Sequence, residues 1–244
     1  MENVVRLIDE GNTIPFIARY RKELHGAMDD TTLRTLADRL QYLRNLDKRR
    51  EEVKSAIEGQ GKLTEELSAA IDAAATLAEV EDLYRPYKQK RRTRATVARE
   101  KGLEPLAELL FAQAADGPAP EEAAGAFIDP EKGVETAEDA LQGASDIIAE
   151  RISDDADIRK RLRELVWKKG SLVSAAAAKE PEDTVYRLYY AFRSPLNRVQ
   201  GHQVLAINRG EREGVLKVSV EMEREAALIP VRRAVLNPGA DKGH

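Results

Sequence analysis

Residues 29–61 read DDTTLRTLADRLQYLRNLDKRREEVKSAIEGQG, and this stretch decides the fold class. Its apolar side chains recur at spacings of three, four or combinations of them, which predicts one amphipathic helix lined by Leu33, Leu36, Leu40, Leu43, Val53 and Ile57. The acidic pair Asp29 and Asp30 precedes this helix, and Gly59 and Gly61 end it. A helix of about 28 residues is about 40 Å long at the usual rise per residue. That length is typical of a spine rather than of an ordinary domain helix.

Shorter amphipathic segments predict further helices on both sides of this spine. Thr136 with Asp139 resembles a capping box that opens one of them. Near the C-terminus the period changes, because residues 204–207 and 215–220 are rich in β-branched side chains and the polar segment 209–214 lies between them. This pattern predicts a β-hairpin. The sequence therefore predicts a mainly α fold, an elongated multi-helix scaffold with a long spine helix and one C-terminal β-hairpin packed on the helices.

The first 24 residues predict two short helices joined by a turn at Gly11. Thr13 can cap the second helix, and Pro15 is tolerated in its first turn because the missing amide hydrogen would be unpaired there. Such a pair is compatible with part of a helix-turn-helix. It is equally compatible with two helices packed in a bundle, and the sequence leaves both interpretations open.

The distribution of charge indicates where a polyanion could bind. The net charge is −4, but residues 84–101 hold eight Lys or Arg against one Glu, whereas residues 116–164 hold fourteen acids against six bases. We call the seven cations that follow Tyr87 in this segment the basic run: Lys88, Lys90, Arg91, Arg92, Arg94, Arg99 and Lys101. Arginine binds phosphate through two parallel hydrogen bonds and lysine through its point charge. The candidate nucleic-acid-binding site consists of this run together with Tyr84 and Tyr87, whose rings could stack on unpaired bases.

A second interpretation of the basic run needs no ligand. Its arginines could instead pair with the acidic surface of the same chain, or with a neighbouring domain. The two interpretations differ in whether the guanidinium groups face solvent, and the sequence alone does not decide between them.

The sequence gives little support to catalysis. It lacks a phosphate-binding loop, a dinucleotide fingerprint and a nucleophile elbow, and it contains no cysteine for a thiolate or a cysteine-based metal site. Acidic pairs such as Asp154 and Asp155 fall at helix starts, where capping already explains them. We therefore expect no enzyme activity, no cofactor and no metal. The acidic N-terminus and the lack of a long apolar stretch predict a soluble cytoplasmic protein without membrane contact.

Three stretches of the sequence resemble one known family. They are TIPFIARYRKE at residues 13–23, EDLYRPYKQKRRTRATVAREKGLEPLAELL at residues 81–110, and HQVLAINRGEREGVLKV at residues 202–218. They resemble signatures of the bacterial Tex transcription accessory proteins and occur in the order that this family has. The resemblance implies nucleic-acid binding in support of transcription, with no established enzyme activity.

The resemblance also implies a domain organisation. Tex proteins have an N-terminal helix-turn-helix region and a long helical core, followed by an RNase-H-like domain, a helix-hairpin-helix module and an RNA-binding OB-fold. By this comparison the chain is an N-terminal and central helical fragment without the last three modules. Its expected parts are a helix-turn-helix remnant (1–24), a central helical domain (25–200), the hairpin (201–222) and a lead-in to the RNase-H-like domain (223–244).

The expected partners follow from the same comparison. We expect weak, non-specific binding of RNA or DNA by this chain. RNA polymerase and other transcription proteins are further candidate partners.

Overall fold

The computed structural model describes residues 1–26, 28–89, 91–114, 117–179 and 183–237. Their contacts divide the chain into two compact units, Met1–Tyr87 and Lys88–His244. Most of the described residues are helical, and three strands form one small sheet. The prediction of a mainly α fold is therefore confirmed. The domain limits expected from the family resemblance stay a prediction, because grouping by contacts does not test which segments fold independently.

Unit 1 is helical throughout and is organised on the predicted spine. Its helices are α1 (Glu2–Asp9), α2 (Ile14–Tyr20), α3 (Lys22–His25), α4 (Asp30–Glu58), α5 (Glu65–Ala73) and α6 (Leu77–Tyr84). The spine is α4, with 29 residues, and the side chain of Asp29 accepts a hydrogen bond of 2.6 Å from the Thr32 amide at its start. This cap satisfies one of the amides that a helix N-terminus leaves without an intrahelical partner.

Two apolar cores lie along α4 in unit 1. Near its N-terminus, the first two helices pack on it through Val4, Leu7, Ile17 and Leu33. Towards its C-terminus, α5 and α6 close a second core that contains Leu46, Val53, Ile57, Ile71, Ala74 and Val80. The two short N-terminal helices thus pack on the spine, which both interpretations of this pair allow.

Unit 2 has an alanine-rich helical core. Its first helices are α7 (Arg94–Glu100), α8 (Glu104–Ala112), α9 (Pro120–Gly125) and α10 (Ala137–Asp154). The core is formed by Ala95, Ala98, Leu103, Leu106, Ala107, Ala123, Ala124, Val134, Ala140, Ala144 and Ile147. Small side chains let α10 come so close to its neighbours that a Cβ on Gly143 would overlap the side chain of Leu103. The predicted capping box opens α10, since Thr136 and Asp139 exchange hydrogen bonds.

The remaining helices and strands of unit 2 include the three strands of one antiparallel sheet. They are α11 (Ala156–Lys169), β1 (Ser171–Ala176), β2 (Ala191–Pro195), α12 (Gly201–Arg212), β3 (Leu216–Glu221) and α13 (Arg224–Val235). The strand order is β2-β1-β3, so β1 is central and pairs with both neighbours. The segment expected as a lead-in, 223–244, contains α13. At the end of α13, the Gln113 side chain donates a hydrogen bond to the Val235 carbonyl and accepts one from the Asn237 amide.

The predicted β-hairpin is wrong. Residues 204–207 lie inside α12, and β3 pairs with β1 rather than with a strand that precedes it directly. The inward face of α12 consists of Gln203, Ala206, Ile207 and Gly210, spaced three, one and three residues apart as a helix requires. Gly210 is buried but has no apolar side chain to mark this face, so the apolar pattern in the sequence is too short to predict a helix. The β-branched side chains then favoured a strand.

Candidate nucleic-acid interface

The described part of the basic run lies at the start of unit 2, in the segment before α7, in α7 itself and at its C-terminal end. Thr93 caps this helix by accepting a hydrogen bond of 3.1 Å from the Thr96 amide. Lys88, Arg91 and Arg92 are exposed in the segment before it. Lys90 lies outside the described residues.

Two of the arginines form ion pairs in which the guanidinium group itself is exposed. Arg92 lies 2.7 Å from Glu100, and both side chains are more than half exposed. Arg94 lies 3.5 Å from Asp146 of α10, and 85% of its side chain remains exposed. The Arg92–Glu100 pair contributes about 0–1 kcal/mol, because water solvates both charges when they separate. The Asp146 side chain is only 15% exposed, so Arg94 is an exposed partner of a mostly buried carboxylate.

Arg99 and Lys101 have contacts of a different kind. Arg99 donates a hydrogen bond of 2.7 Å to Glu150, which also accepts one of 3.0 Å from the Thr93 hydroxyl. The hydrogen bond with Glu150 raises the pKa of Arg99 above its usual value. Lys101 donates a hydrogen bond of 2.7 Å to the Gly133 carbonyl. Arg99 thus connects α7 to α10, and Lys101 connects the end of α7 to the segment before α10. Both contacts agree with the interpretation by internal pairing.

A groove of about 430 Å³ separates the exposed side of α7 from α10. We call it the α7–α10 groove; its charged and hydroxyl-bearing lining is Arg92, Thr93, Arg94, Lys101, Asp139 and Asp146. Hydrogen bonds from Thr136 lower the pKa of Asp139, so its carboxylate is charged at neutral pH. The groove is therefore lined by charges of both signs. A polyanion would contact it on the α7 side, which carries Arg92 and Arg94.

The tyrosines of the candidate site contribute to the core of unit 1. Tyr84 and Tyr87 are half-buried and pack beside the apolar residues between α4, α5 and α6. The guanidinium of Arg49 lies 5.6 Å from the centre of the Tyr84 ring, which is the geometry of a cation–π contact. Packing accounts for both rings without a bound base.

Sequence reasoning missed a second group of cations, on α11. This helix carries six bases against two acids, namely Arg159, Lys160, Arg161, Arg163, Lys168 and Lys169 against Asp157 and Glu164. It also presents Trp167, which is 60% exposed. Counting charge over 116–164 concealed this group, because the four bases before position 164 were averaged with the acids of α10. A count restricted to one predicted helix would have found it.

The described ranges show neither a metal site nor a membrane span. Within them, no three His, Asp or Glu side chains are grouped so that they could hold a metal ion. No helix among them combines the length and the apolar character needed to cross a bilayer.

Comparison with known proteins adds a family to this geometry. Residues 1–58 match the family model described as Tex-like protein N-terminal domain, and residues 116–235 match the model described as Tex central region-like. The two matches together cover more than half of the chain.

Individual relatives agree with the family models. Uncharacterized protein YdcI of Bacillus subtilis is 49% identical over 91% of this chain and 31% of its own length. Transcriptional accessory protein Tex of Neisseria gonorrhoeae is 42% identical over 90% of this chain and 28% of its own length. Human S1 RNA-binding domain-containing protein 1 is 34% identical over 90% of this chain and 22% of its own length. The chain thus spans less than a third of the length of each of these relatives.

Proposed function

The chain belongs to the Tex family of transcription accessory proteins, and on that premise we propose that it supports transcription by binding nucleic acid through the phosphate backbone. The names of two relatives support this proposal, since one is called a transcriptional accessory protein and the other an S1 RNA-binding domain-containing protein. We propose RNA or DNA as the ligand, RNA polymerase or another transcription protein as a further partner, and the cytoplasm as the place of action.

The proposal is carried by the exposure of Arg91, Arg92 and Arg94 beside the α7–α10 groove. These three arginines lie within four residues of one another in a chain of net charge −4. Arg92 forms an exposed pair with Glu100, and Arg94 is 85% exposed although its partner Asp146 is not, so phosphate oxygens can reach both guanidinium groups. Backbone phosphates carry no sequence information, and the binding is therefore non-specific.

Replacing Arg91, Arg92 and Arg94 together by glutamate should strongly weaken binding of single-stranded RNA at low salt and lower the melting temperature only slightly. Fluorescence anisotropy of a labelled strand measures the affinity. For the wild-type protein the log–log salt dependence should have a slope of about −0.7 per phosphate neutralised. A matched control replaces Arg6, Arg19 and Arg34, three exposed arginines of unit 1, and changes the net charge equally. Equal loss of affinity in both variants would show that only net charge matters.

A protein-interaction scaffold is the second candidate function, and the pairing of Arg99 with Glu150 and of Arg94 with Asp146 favours it. In that case the basic run acts within the molecule. The triple variant would then lose stability, and the wild-type protein would bind no strand even at low salt. The anisotropy titration and the thermal melts of the two proteins together separate the candidates.

We also propose that the chain has no catalytic turnover and needs no cofactor. The proposal rests on the absence from the sequence of a phosphate-binding loop and of any cysteine. Labelled RNA, labelled DNA and ATP should remain intact after incubation with the purified protein and magnesium. Cleavage that persists through purification and disappears when one carboxylate or His202 is replaced would contradict the proposal.

A further inference from the structure

One face of α11 is exposed to solvent along most of the helix. Ile158 is buried, and Leu162, Leu165 and Val166 are half-buried, so these four positions mark the side of α11 that faces the unit. On the opposite side, Lys160, Arg163 and Trp167 follow one another at spacings of three and four residues and are all exposed. Residues at these spacings lie in one row along a helix.

Trp167 dominates this face. A tryptophan normally buries most of its ring, because that burial stabilises a fold more than the burial of almost any other side chain. Here 60% of the residue is exposed, with Lys168 and Lys169 directly after it. An exposed aromatic ring among cations is the combination with which proteins hold unpaired nucleic-acid strands, since the ring stacks on a base and the cations contact phosphates.

We propose that the outward face of α11 is a contact surface for single-stranded nucleic acid, on which a base stacks against Trp167 and the neighbouring phosphates lie against Arg163 and Lys168. This inference rests on the proposed function and adds a second surface to it. The charge of α11, six bases against two acids in a chain that is negative overall, favours a polyanion as the occupant. Along the helix axis Lys160 and Trp167 are about 10 Å apart, so a few nucleotides would cover the face.

Trp167 is the sole tryptophan of the sequence, so the intrinsic tryptophan fluorescence of the protein reports on this face alone. Titration with a short oligothymidylate should quench the emission to saturation. An abasic strand of the same length neutralises the same cations but has no bases, and it should quench little. Trp167→Ala should weaken binding by about tenfold, whereas Trp167→Phe should keep part of the affinity. Tyr20→Ala removes a ring that is 58% exposed in unit 1 and should leave the affinity unchanged.

The outcomes separate this inference from the function on which it rests. Quenching that persists in the Arg91, Arg92 and Arg94 triple variant supports the α11 surface even if the basic run does not bind. A labelled strand that binds by anisotropy while the Trp167 emission stays constant overturns the α11 surface and leaves nucleic-acid binding intact. No binding by either measurement at low salt overturns both. A blue shift that depends on protein concentration without any strand indicates contact between copies of the chain and also overturns the proposal.

Discussion

Replacing Gly210 by alanine should lower the free energy of unfolding by about 2 kcal/mol, although alanine is intrinsically the better helix former. Gly210 is buried on the inward face of α12. A Cβ at this position would lie 2.6 Å from Cδ1 of Leu216 and 3.1 Å from Cδ1 of Tyr186. Both neighbours are buried, and the Tyr186 hydroxyl is fixed by a hydrogen bond of 2.8 Å to Glu213. Because both side chains are buried, making room for the methyl group disturbs the packing between α12 and β3.

A double-mutant cycle tests this explanation. Leu216→Ala alone should cost about 3 kcal/mol, because it leaves a cavity at the start of β3. In that background Gly210→Ala should cost little, since its methyl group enters the vacated space and the two changes share one site. Urea denaturation gives the free energies, and hydrogen exchange over α12 and β3 gives the local effect. Gly201→Ala is the matched control, because a Cβ there meets no atom within 4 Å. Additive costs, or an unaffected Gly210→Ala variant, would refute the close approach.

The same position shows why part of the fold was predictable from sequence and part was not. The spine helix α4 and the capping box of α10 depend on residues that are near one another in sequence, so period and capping chemistry were sufficient. The sheet depends on β1, whose sequence SLVSAA has no regular alternation and whose partners are distant along the chain. Burial of Gly210 is a tertiary contact and leaves no mark in a local hydrophobic pattern.

The candidate interface also has a part that the sequence predicts and a part that it does not. A cluster of cations after Tyr87 is visible in the sequence, because charge is a property of composition. Its separation into exposed and paired members is not visible, since the acids that pair with Arg94 and Arg99 come from α10, about fifty residues later. The charge of α11 was hidden by the acidic stretch before it. In each case the missing information is which helix packs on which.

Charge reversal at Arg99 should separate a structural cation from the proposed phosphate-binding ones. Arg99→Glu places a carboxylate beside Glu150, of which only 16% is exposed, and beside Glu104. Glu150 then loses the charged donor Arg99, although its hydrogen bond from Thr93 remains. Removing one partner of a buried pair costs about 3–5 kcal/mol. Because Arg99 itself is 36% exposed and solvent screens the pair, we expect a cost of about 2 kcal/mol.

Arg94→Glu is the matched comparison, because it reverses a charge on the same helix that also faces an acid of α10. Arg94 is 85% exposed but Asp146 only 15%, so the melting temperature of this variant should fall, and by less than that of Arg99→Glu. Affinity for single-stranded RNA should show the opposite order: Arg94→Glu weakens it, and Arg99→Glu leaves it nearly intact below the melting temperature. Exchanging the charges, as Arg99→Glu with Glu150→Arg, should recover much of the lost stability, because the ion pair can form again. Thermal melts and anisotropy titrations of the four proteins test this order. If Arg99→Glu melts like the wild-type protein and loses RNA binding, Arg99 contacts phosphate and the attachment of α7 to α10 does not depend on it.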